Sequence, residues 1–471
     1  MNYRIVLHTL GWVLIVEAAC LVLPLICALL YAEAAFSSFL ICIAICLIAG
    51  ISLVCVKSYN QNMYSREGFT IVALSWIFMS IFGSLPFIIS GSIKSFIDAF
   101  FETVSGFTTT GASVISDVEA LPKSILFWRS FTHWIGGMGV IVFLVAILPL
   151  SGGRNMHLVK AESPGPSVGK LVPRVKSTAK ILYLIYFGIT VVVSILLVLG
   201  DMDLFESLTT AFGTVGTGGF GIRNSSMADF SSYSQIVVTV FMIVCGVNFS
   251  LYYLMLIGRF RLALRSSELW AYLLIIFSAI VLITINSGAG VKHAAFQVGS
   301  IITTTGFTTV DFNKWPEFSK AILVLLMFIG ASAGSTGGGI KVSRIMILIK
   351  SIVKEIKISA HPNSTHKVKL DGRTLEHETL RGANVFMVAY LVIFAFSVLI
   401  ISIDNMDFTT NFTAVAATIN NIGPGLSGVG PTGNFGAYSA LSKLVLSMDM
   451  LIGRLEIFPI LVLFSPYAWK K

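Results

Sequence analysis

Four short segments of this 471-residue chain carry residues suited to holding a bare cation. They read ETVSGFTTTGAS around Gly111, TTAFGTVGTGGFG around Gly219, VGSIITTTGFTTVDF around Gly306 and ATINNIGPGLSG around Gly423. Aligned on those glycines, each has a small or Thr-rich amphipathic stretch, polar or glycine residues, the glycine itself and a further turn. Threonine and glycine in such a run free backbone carbonyls from helical bonding. Glycine permits the positive φ angles that keep successive carbonyls on one side. Rings of such carbonyls replace the hydration shell of a monovalent cation. The segments Thr108–Ala112, Thr217–Phe220, Thr303–Phe307 and Asn420–Pro424 contain no carboxylate. Mg2+ and Ca2+ sites draw on Asp and Glu oxygens, so the chemistry suits K+ or Na+.

A second set of residues suits a movable obstruction. Gly330 to Gly339 reads GASAGSTGGG and is followed by IKVSR. Five glycines in ten residues make a poor helix, each costing about 1 kcal/mol relative to alanine. The run follows the third glycine segment by about 25 residues, which predicts a flexible loop beneath that segment. GASAG matches a G-x-S-x-G nucleophile elbow at Ser332, but that motif needs a preceding strand, and an apolar helical run stands there. GSTGGGIKVS lacks the G-K-[ST] ending of a phosphate loop. Arg454, in MLIGRLEIFP, is a charge within a membrane span and therefore a functional candidate, with a structural ion pair to Glu456, Asp449 or another span as the alternative. Glu17 and His133 are expected to make interhelical hydrogen bonds. Asp98, Asp203 and Asp407 stand where short helices leading into the segments should begin, suited to capping; Asp311 adds negative charge past the third segment or is a solvated loop residue.

The elements that must position these residues are membrane helices. Hydrophobic residues are 55% of the chain, charged residues 12%, and mean hydropathy is +0.87. A soluble domain carries about 25% charge, and about 20 apolar residues suffice for one span. The first run, from Val6, lacks a cleavage site and is read as a retained helix rather than a signal peptide. Each glycine segment has an apolar run on either side: 69–90 and 124–150, 179–200 and 234–258, 269–287 and 318–353, 383–403 and 439–464. A further pair, 6–31 and 36–56, precedes them. The expected architecture is an all-α polytopic membrane protein with four helix–pore-loop–helix repeats around a central pore, plus an extra N-terminal helix pair. Ten spans with non-crossing loops place 23 of the 32 Lys and Arg on one side and 8 on the other, Arg129 among the latter, with Arg454 inside a span. The positive-inside rule then puts both termini in the cytoplasm and accounts for the net charge of +9 without nucleic acid. The six cysteines lie in apolar runs; Cys42 and Cys46 share a helix face that would suit a soft metal, or serve as small hydrophobes. No disulfide framework is implied.

TTTGAS, TVGTGGF, TTTGFTT and NNIGPG, in that order and with these flanking pairs, resemble the membrane subunit of bacterial Trk/Ktr-type potassium uptake systems. The extra N-terminal pair makes the resemblance closer to the Trk-type (TrkH-like) subunit. The resemblance implies a K+ selectivity filter of carbonyls at Thr109, Thr110 and Gly111; Thr217, Gly218 and Gly219; Thr304, Thr305 and Gly306; and Asn421, Ile422 and Gly423. It implies an intramembrane gating loop at 330–339, with Gly334, Gly337, Gly338, Gly339 and Lys341 as gate residues and Arg454 as a charge beside them. K+ is then the transported ion, with no organic cofactor on this chain and no enzymatic activity. A homodimer, a cytosolic nucleotide-binding (TrkA-like) regulatory subunit and the bacterial inner membrane are implied likewise. The expected units are 1–66 (extra pair), 67–150 (repeat 1), 151–262 (basic loop and repeat 2), 263–356 (repeat 3 with the gating loop) and 357–471 (basic loop and repeat 4). A Na+- or H+-coupled potassium symporter is the alternative. The fourth segment departs most from a Thr-rich pattern.

Overall fold

The computed structural model describes residues 1–56, 65–139, 175–362 and 366–469. The basic stretch 151–174 and the second half of the apolar run 124–150 lie outside these residues. Helices dominate, for the reason that the bilayer leaves no water to satisfy backbone N–H and C=O groups. Among the described residues, six are long and apolar enough to cross a membrane: Tyr3–Leu30, Ala35–Val54, Arg66–Ile89, Ala179–Val198, Ser267–Ser287 and His377–Asp404. A seventh comes from Ser232–Cys245 with Phe249–Leu256, if this pair, bent by 90°, is one span.

In chain order the helices are α1 (Tyr3–Cys20), α2 (Val22–Leu30), α3 (Ala35–Val54), α4 (Ser65–Gly83), α5 (Leu85–Ile89), α6 (Phe96–Phe107) and α7 (Lys123–Gly137). Then come α8 (Val175–Val198), α9 (Leu204–Val215), α10 (Ser232–Cys245), α11 (Phe249–Leu256), α12 (Phe260–Leu264), α13 (Ser267–Ser287) and α14 (Gly290–Ile302). The last are α15 (Glu317–Ile329), α16 (Val342–Ala360), α17 (His377–Ile401), α18 (Phe408–Ile419), α19 (Ala440–Arg454), α20 (Phe458–Phe464) and α21 (Pro466–Trp469). A two-residue hairpin, β1 (Lys369–Leu370) and β2 (Arg373–Thr374), joins α16 to α17.

Apolar side chains fill most of the interior, but they also cover the outside, and the centre is polar. Ile48, Leu199, Leu274 and Phe396 face outward, whereas Thr108, Thr109, Thr217, Thr304 and Asn421 are fully buried. Apolar side chains gain nothing by hiding from lipid, so the interior can be given to polar groups that need partners. The extra N-terminal pair packs on itself, α1 against α3, and on α4.

The helices that follow the glycine segments are not the continuous spans expected. α7 ends at Gly137, and α10 and α11 meet at the 90° bend. α15 and α16 are separated by Gly330–Lys341, and α19 and α20 by Leu455–Ile457. With these breaks, and with the rest of the run 124–150 outside the described residues, fewer than ten long apolar spans are found among the described residues.

Candidate functional site

Four helices, α6, α9, α14 and α18, lead into the glycine segments and have 12, 12, 13 and 12 residues. At 1.5 Å per residue each is about 18–20 Å long, too short for a hydrocarbon core of about 30 Å. Asp203 and Asp407 cap two of them, accepting from the Glu206 and Thr410 amides. Asp98 does not cap its helix: Ser95 does, and the Asp98 carboxylate instead binds Lys443 at 2.6 Å. α14 has no side-chain cap.

All four helices end in one turn. The first residue past the helical cap takes a left-handed conformation: Thr109 (φ 57), Thr217 (φ 53), Thr304 (φ 58) and Asn421 (φ 56). Their amides bond three residues back at 3.1–3.2 Å, and the amides of Thr110, Gly218, Thr305 and Ile422 bond five residues back at 2.8–2.9 Å. This is a Schellman pattern with threonine or asparagine where glycine is usual. A β-branched residue at positive φ is an outlier and costs about 1–2 kcal/mol. Two residues further on, Gly111 (φ 77), Gly219 (φ 76), Gly306 (φ 88) and Gly423 (φ 96) complete the repeat. The fourth segment, least like the others in residue type, has the same backbone.

The four turns close on one another in chain order. A methyl group on Gly111 would strike the Gly218 carbonyl oxygen, and one on Gly219 the Thr305 oxygen. One on Gly306 would strike the Ile422 oxygen, and one on Gly423 the Thr110 oxygen, which returns to the first turn. Each glycine thus abuts the carbonyl just before the glycine of its neighbour, leaving no room for a side chain. This brings together all twelve residues singled out around the four glycines. The first and third turns also match in side chains: Thr108 and Thr110 hydroxyls lie 2.8 Å apart, as do those of Thr303 and Thr305.

Gly218 stands where the other turns have Thr110, Thr305 and Ile422. Its missing side-chain volume is filled by the His133 imidazole from α7, onto which a Cβ there would fall. His133 Nδ1 lies 2.8 Å from the Gly106 carbonyl, and Nε2 accepts from the Phe220 amide at 3.2 Å. The carbonyl can only accept, so Nδ1 carries the proton and the ring is neutral. The expected interhelical hydrogen bond of His133 is present, from α7 to Gly106 on α6, and a second bond goes to the backbone of the second turn. Glu17 differs: among the described residues neither of its carboxylate oxygens has a hydrogen-bond partner, although the side chain is buried beside Gly83.

A buried ion pair supports the ring from outside. Arg129 on α7 meets Glu102 on α6 at 2.7 Å, with side chains 2% and 0% exposed. Glu102 accepts from the Val114 amide at 2.9 Å and the Ser113 hydroxyl at 3.0 Å, while Arg129 donates to the Gly221 carbonyl at 3.2 Å. The pair therefore fixes the chain as it leaves the first and second glycines. Arg129 is therefore a core residue and not one of the outer loop charges. A charge inside the apolar run 124–150 was the signal for it, with Glu102 inside the first quoted segment as its partner.

Beneath the ring lies a second layer. The Gly338 amide donates to the Thr304 hydroxyl at 2.6 Å, and the Gly339 amide to the Asn420 carbonyl at 3.1 Å. A Cβ on Gly337 would meet the Thr303 carbonyl, so the loop runs close under the third and fourth turns. Gly334 (φ 72) packs on Asn248, and its carbonyl accepts from the Phe249 amide at 3.0 Å, anchoring the loop in the α10–α11 bend. Lys341, buried at 3% exposure with φ 85, donates its ammonium to the Gly337 carbonyl. Arg454 donates to the Thr109 hydroxyl at 3.3 Å, the Thr336 carbonyl at 2.8 Å, the Gly137 carbonyl at 3.0 Å and the Gly136 carbonyl. Glu456 pairs with Arg344, and Asp449 accepts from Ser397 at 2.7 Å. Arg454 thereby ties the first turn, the loop and the end of α7 together. The ring has a lower face of donors: a guanidinium and an amide sit on two of its four left-handed residues. Such a face attracts anions and opposes a cation.

The remaining candidates take no part in the ring. Asp311 caps the short turn Phe312–Lys314. Ser332 follows a helix rather than a strand, so no nucleophile elbow exists. Cys42 and Cys46 are free and buried, and no cluster of metal-ligating residues occurs among the described residues.

Comparison with known proteins agrees over the whole chain. Residues 35–273 and 260–471 match the family of TrkH cation transport proteins. The Trk system potassium uptake protein TrkH of Escherichia coli K12 is 37% identical, covering 100% of both chains. TrkG of the same organism is 33% identical over 100% of this chain and 99% of its own. The crystal structure of the potassium transporter TrkH from Vibrio parahaemolyticus superimposes with a TM-score of 0.89 at 34% identity, covering 100% of each chain. With its fold and its full length both matched, the chain belongs to the TrkH cation transport family.

Proposed function

We propose that this protein takes up potassium through a channel-like filter formed by the four turns, with Gly330–Lys341 as an intramembrane gate. The observation that carries the reading is the closed ring of four turns, each with a left-handed Thr or Asn and a glycine that admits no side chain. Four half-length helices aimed at one ring bring their negative C-terminal ends together there, a field that favours a cation. Threonine and asparagine hydroxyl, amide and backbone oxygens supply the hard, neutral ligands that a monovalent ion exchanges for water. The names of the relatives, potassium uptake proteins and a potassium transporter, support K+ as the transported ion.

In the same reading the repeats span 67–150, 151–262, 263–356 and 357–471 behind the extra pair 1–66. The gate residues are Gly334, Gly337, Gly338, Gly339, Lys341 and Arg454; the geometry described above is then a shut state, in which donors under the ring raise the barrier to a cation. Both termini face the cytoplasm across the bacterial inner membrane. The protein works as a homodimer with a cytosolic nucleotide-binding subunit of TrkA type, which the relatives' place in a Trk system supports. The test is 86Rb+ uptake by the purified chain in liposomes without a Na+ or H+ gradient. Uptake that persists supports a channel-like path, and uptake that demands either gradient replaces it with the symporter.

A further inference from the structure

The loop beneath the ring is held by one carboxylate from another part of the chain. Glu268, in the first turn of α13, accepts at a single oxygen, Oε1, from the Ala333 amide at 2.7 Å and the Ser343 amide at 3.1 Å. These amides stand near the two ends of the loop, so one atom pins both its entry and its exit. Charge-assisted bonds of this kind are stronger than neutral ones, and Ala333 and Ser343 are both buried. The same helix end is held from a second direction. The Ser267 amide, next to Glu268, donates to Asp371 Oδ1 at 2.7 Å. Asp371 (φ 48) and Gly372 (φ 77) form the two-residue turn of the β1–β2 hairpin, the pairing of positive φ angles that such hairpins need. The hairpin is tied in turn to α16, where the Lys350 ammonium donates to the Lys369 carbonyl at 2.8 Å. Three links therefore join an exposed hairpin to the loop: α16 to β1, Asp371 to Ser267, and Glu268 to Ala333 and Ser343.

We propose that Glu268 is the positioning residue that holds the Gly330–Lys341 loop shut, and that the Asp371–Gly372 turn passes movement of the hairpin and α16 to it. This rests on the gating reading above. Exposed basic residues adjoin these links along the chain: Arg259, Arg261 and Arg265 precede Ser267, and Lys357 follows Lys350 on α16. A partner that moves the hairpin from there is accordingly expected to present an acidic surface.

The test measures 86Rb+ flux through the full-length chain in liposomes, with Rb+ over Na+ preference as the second readout. Glu268→Ala should raise flux at least fivefold with the preference unmoved, because only the staple is lost. Glu268→Gln keeps an acceptor oxygen and should bring flux back most of the way toward the parent. Asp371→Ala, in an exposed turn, should raise flux in the same direction by a smaller factor and carries the test if Glu268→Ala does not fold. Parent-level flux in both alanine variants, or a rise accompanied by lost preference, overturns the proposal. Deletion of Gly337–Gly339 separates the two readings. A rise there with none in Glu268→Ala rejects the staple alone, and no rise in either rejects the gate itself.

Discussion

The ring and the layer beneath it are built on opposite plans. In the ring, three different sequences converge on one backbone: Thr-Thr-Gly (twice), Thr-Gly-Gly and Asn-Ile-Gly share φ angles to within about 20° at their left-handed positions. Beneath it, four helices break in four unlike ways: at Gly137, at a 90° bend, across a glycine-rich loop, and at a strained turn. In that last turn Ile457 takes φ 71 and ψ −61, closed by a 2.8 Å bond from the Phe458 amide to the Glu456 carbonyl, a γ-turn form that is rare and strained. In the proposed filter reading, binding by carbonyls depends on backbone alone, so side chains in the ring are free to vary as long as the turn survives. In the proposed gating reading, obstruction depends on particular donors and charges, so the lower layer is specialised.

Four experiments would break or sharpen that contrast. The largest effect is expected from Glu102→Ala, which leaves Arg129 buried without its partner. Removing one member of a buried pair costs about 3–5 kcal/mol, so thermal unfolding should move sharply down; an unchanged transition would show that the ring does not need this support. Gly219→Ala comes next. It forces a methyl against the Thr305 carbonyl and out of a left-handed backbone, a strain of about 3 kcal/mol. Rb+ uptake and its preference over Na+ should both collapse, and retention of preference would contradict a backbone-defined ring.

Gly218→Ala should be damaging only because His133 occupies the space, since Gly218 is not among the positive-φ residues. The double variant with His133→Ala should recover part of the loss, a coupling of about 1–2 kcal/mol measured by unfolding. Strict additivity would remove the steric explanation. The smallest effect belongs to the lower layer. Arg454→Gln should raise Rb+ flux about tenfold, equivalent to about 1.4 kcal/mol, while leaving ion preference as it was. A change in preference instead would mean that the two layers are one unit.

Much of the ring could be read from residue order because glycine at positive φ is a local requirement. Each of the four aligned glycines has it, and the short helices and their Asp203 and Asp407 caps are local in the same sense. The partners of buried charges were not legible, because they depend on which helices pack together. Arg129 meets Glu102 across a turn, and Glu456 pairs with Arg344, 112 residues earlier, rather than with Arg454. The helix breaks were seen only where glycine was dense, at 330–339. The strained turn at Ile457 has no glycine to announce it; packing holds a β-branched residue where its own preference would never put it. Gly218 illustrates the opposite case, a glycine whose reason lies in a histidine 85 residues away and not in its φ.

The ring's closure, the fourth glycine against the first turn's carbonyl, also bears on how the assembly responds to dilution. Because all four members belong to one chain, the ring has no subunit equilibrium, and its integrity is independent of protein concentration. No symmetry operator forces its quarters to change together. A substitution enters one quarter only, so Gly218 can make room for His133 in the second turn while the other three keep Thr110, Thr305 and Ile422 at that position. An aperture assembled from identical subunits would receive every such change four times over.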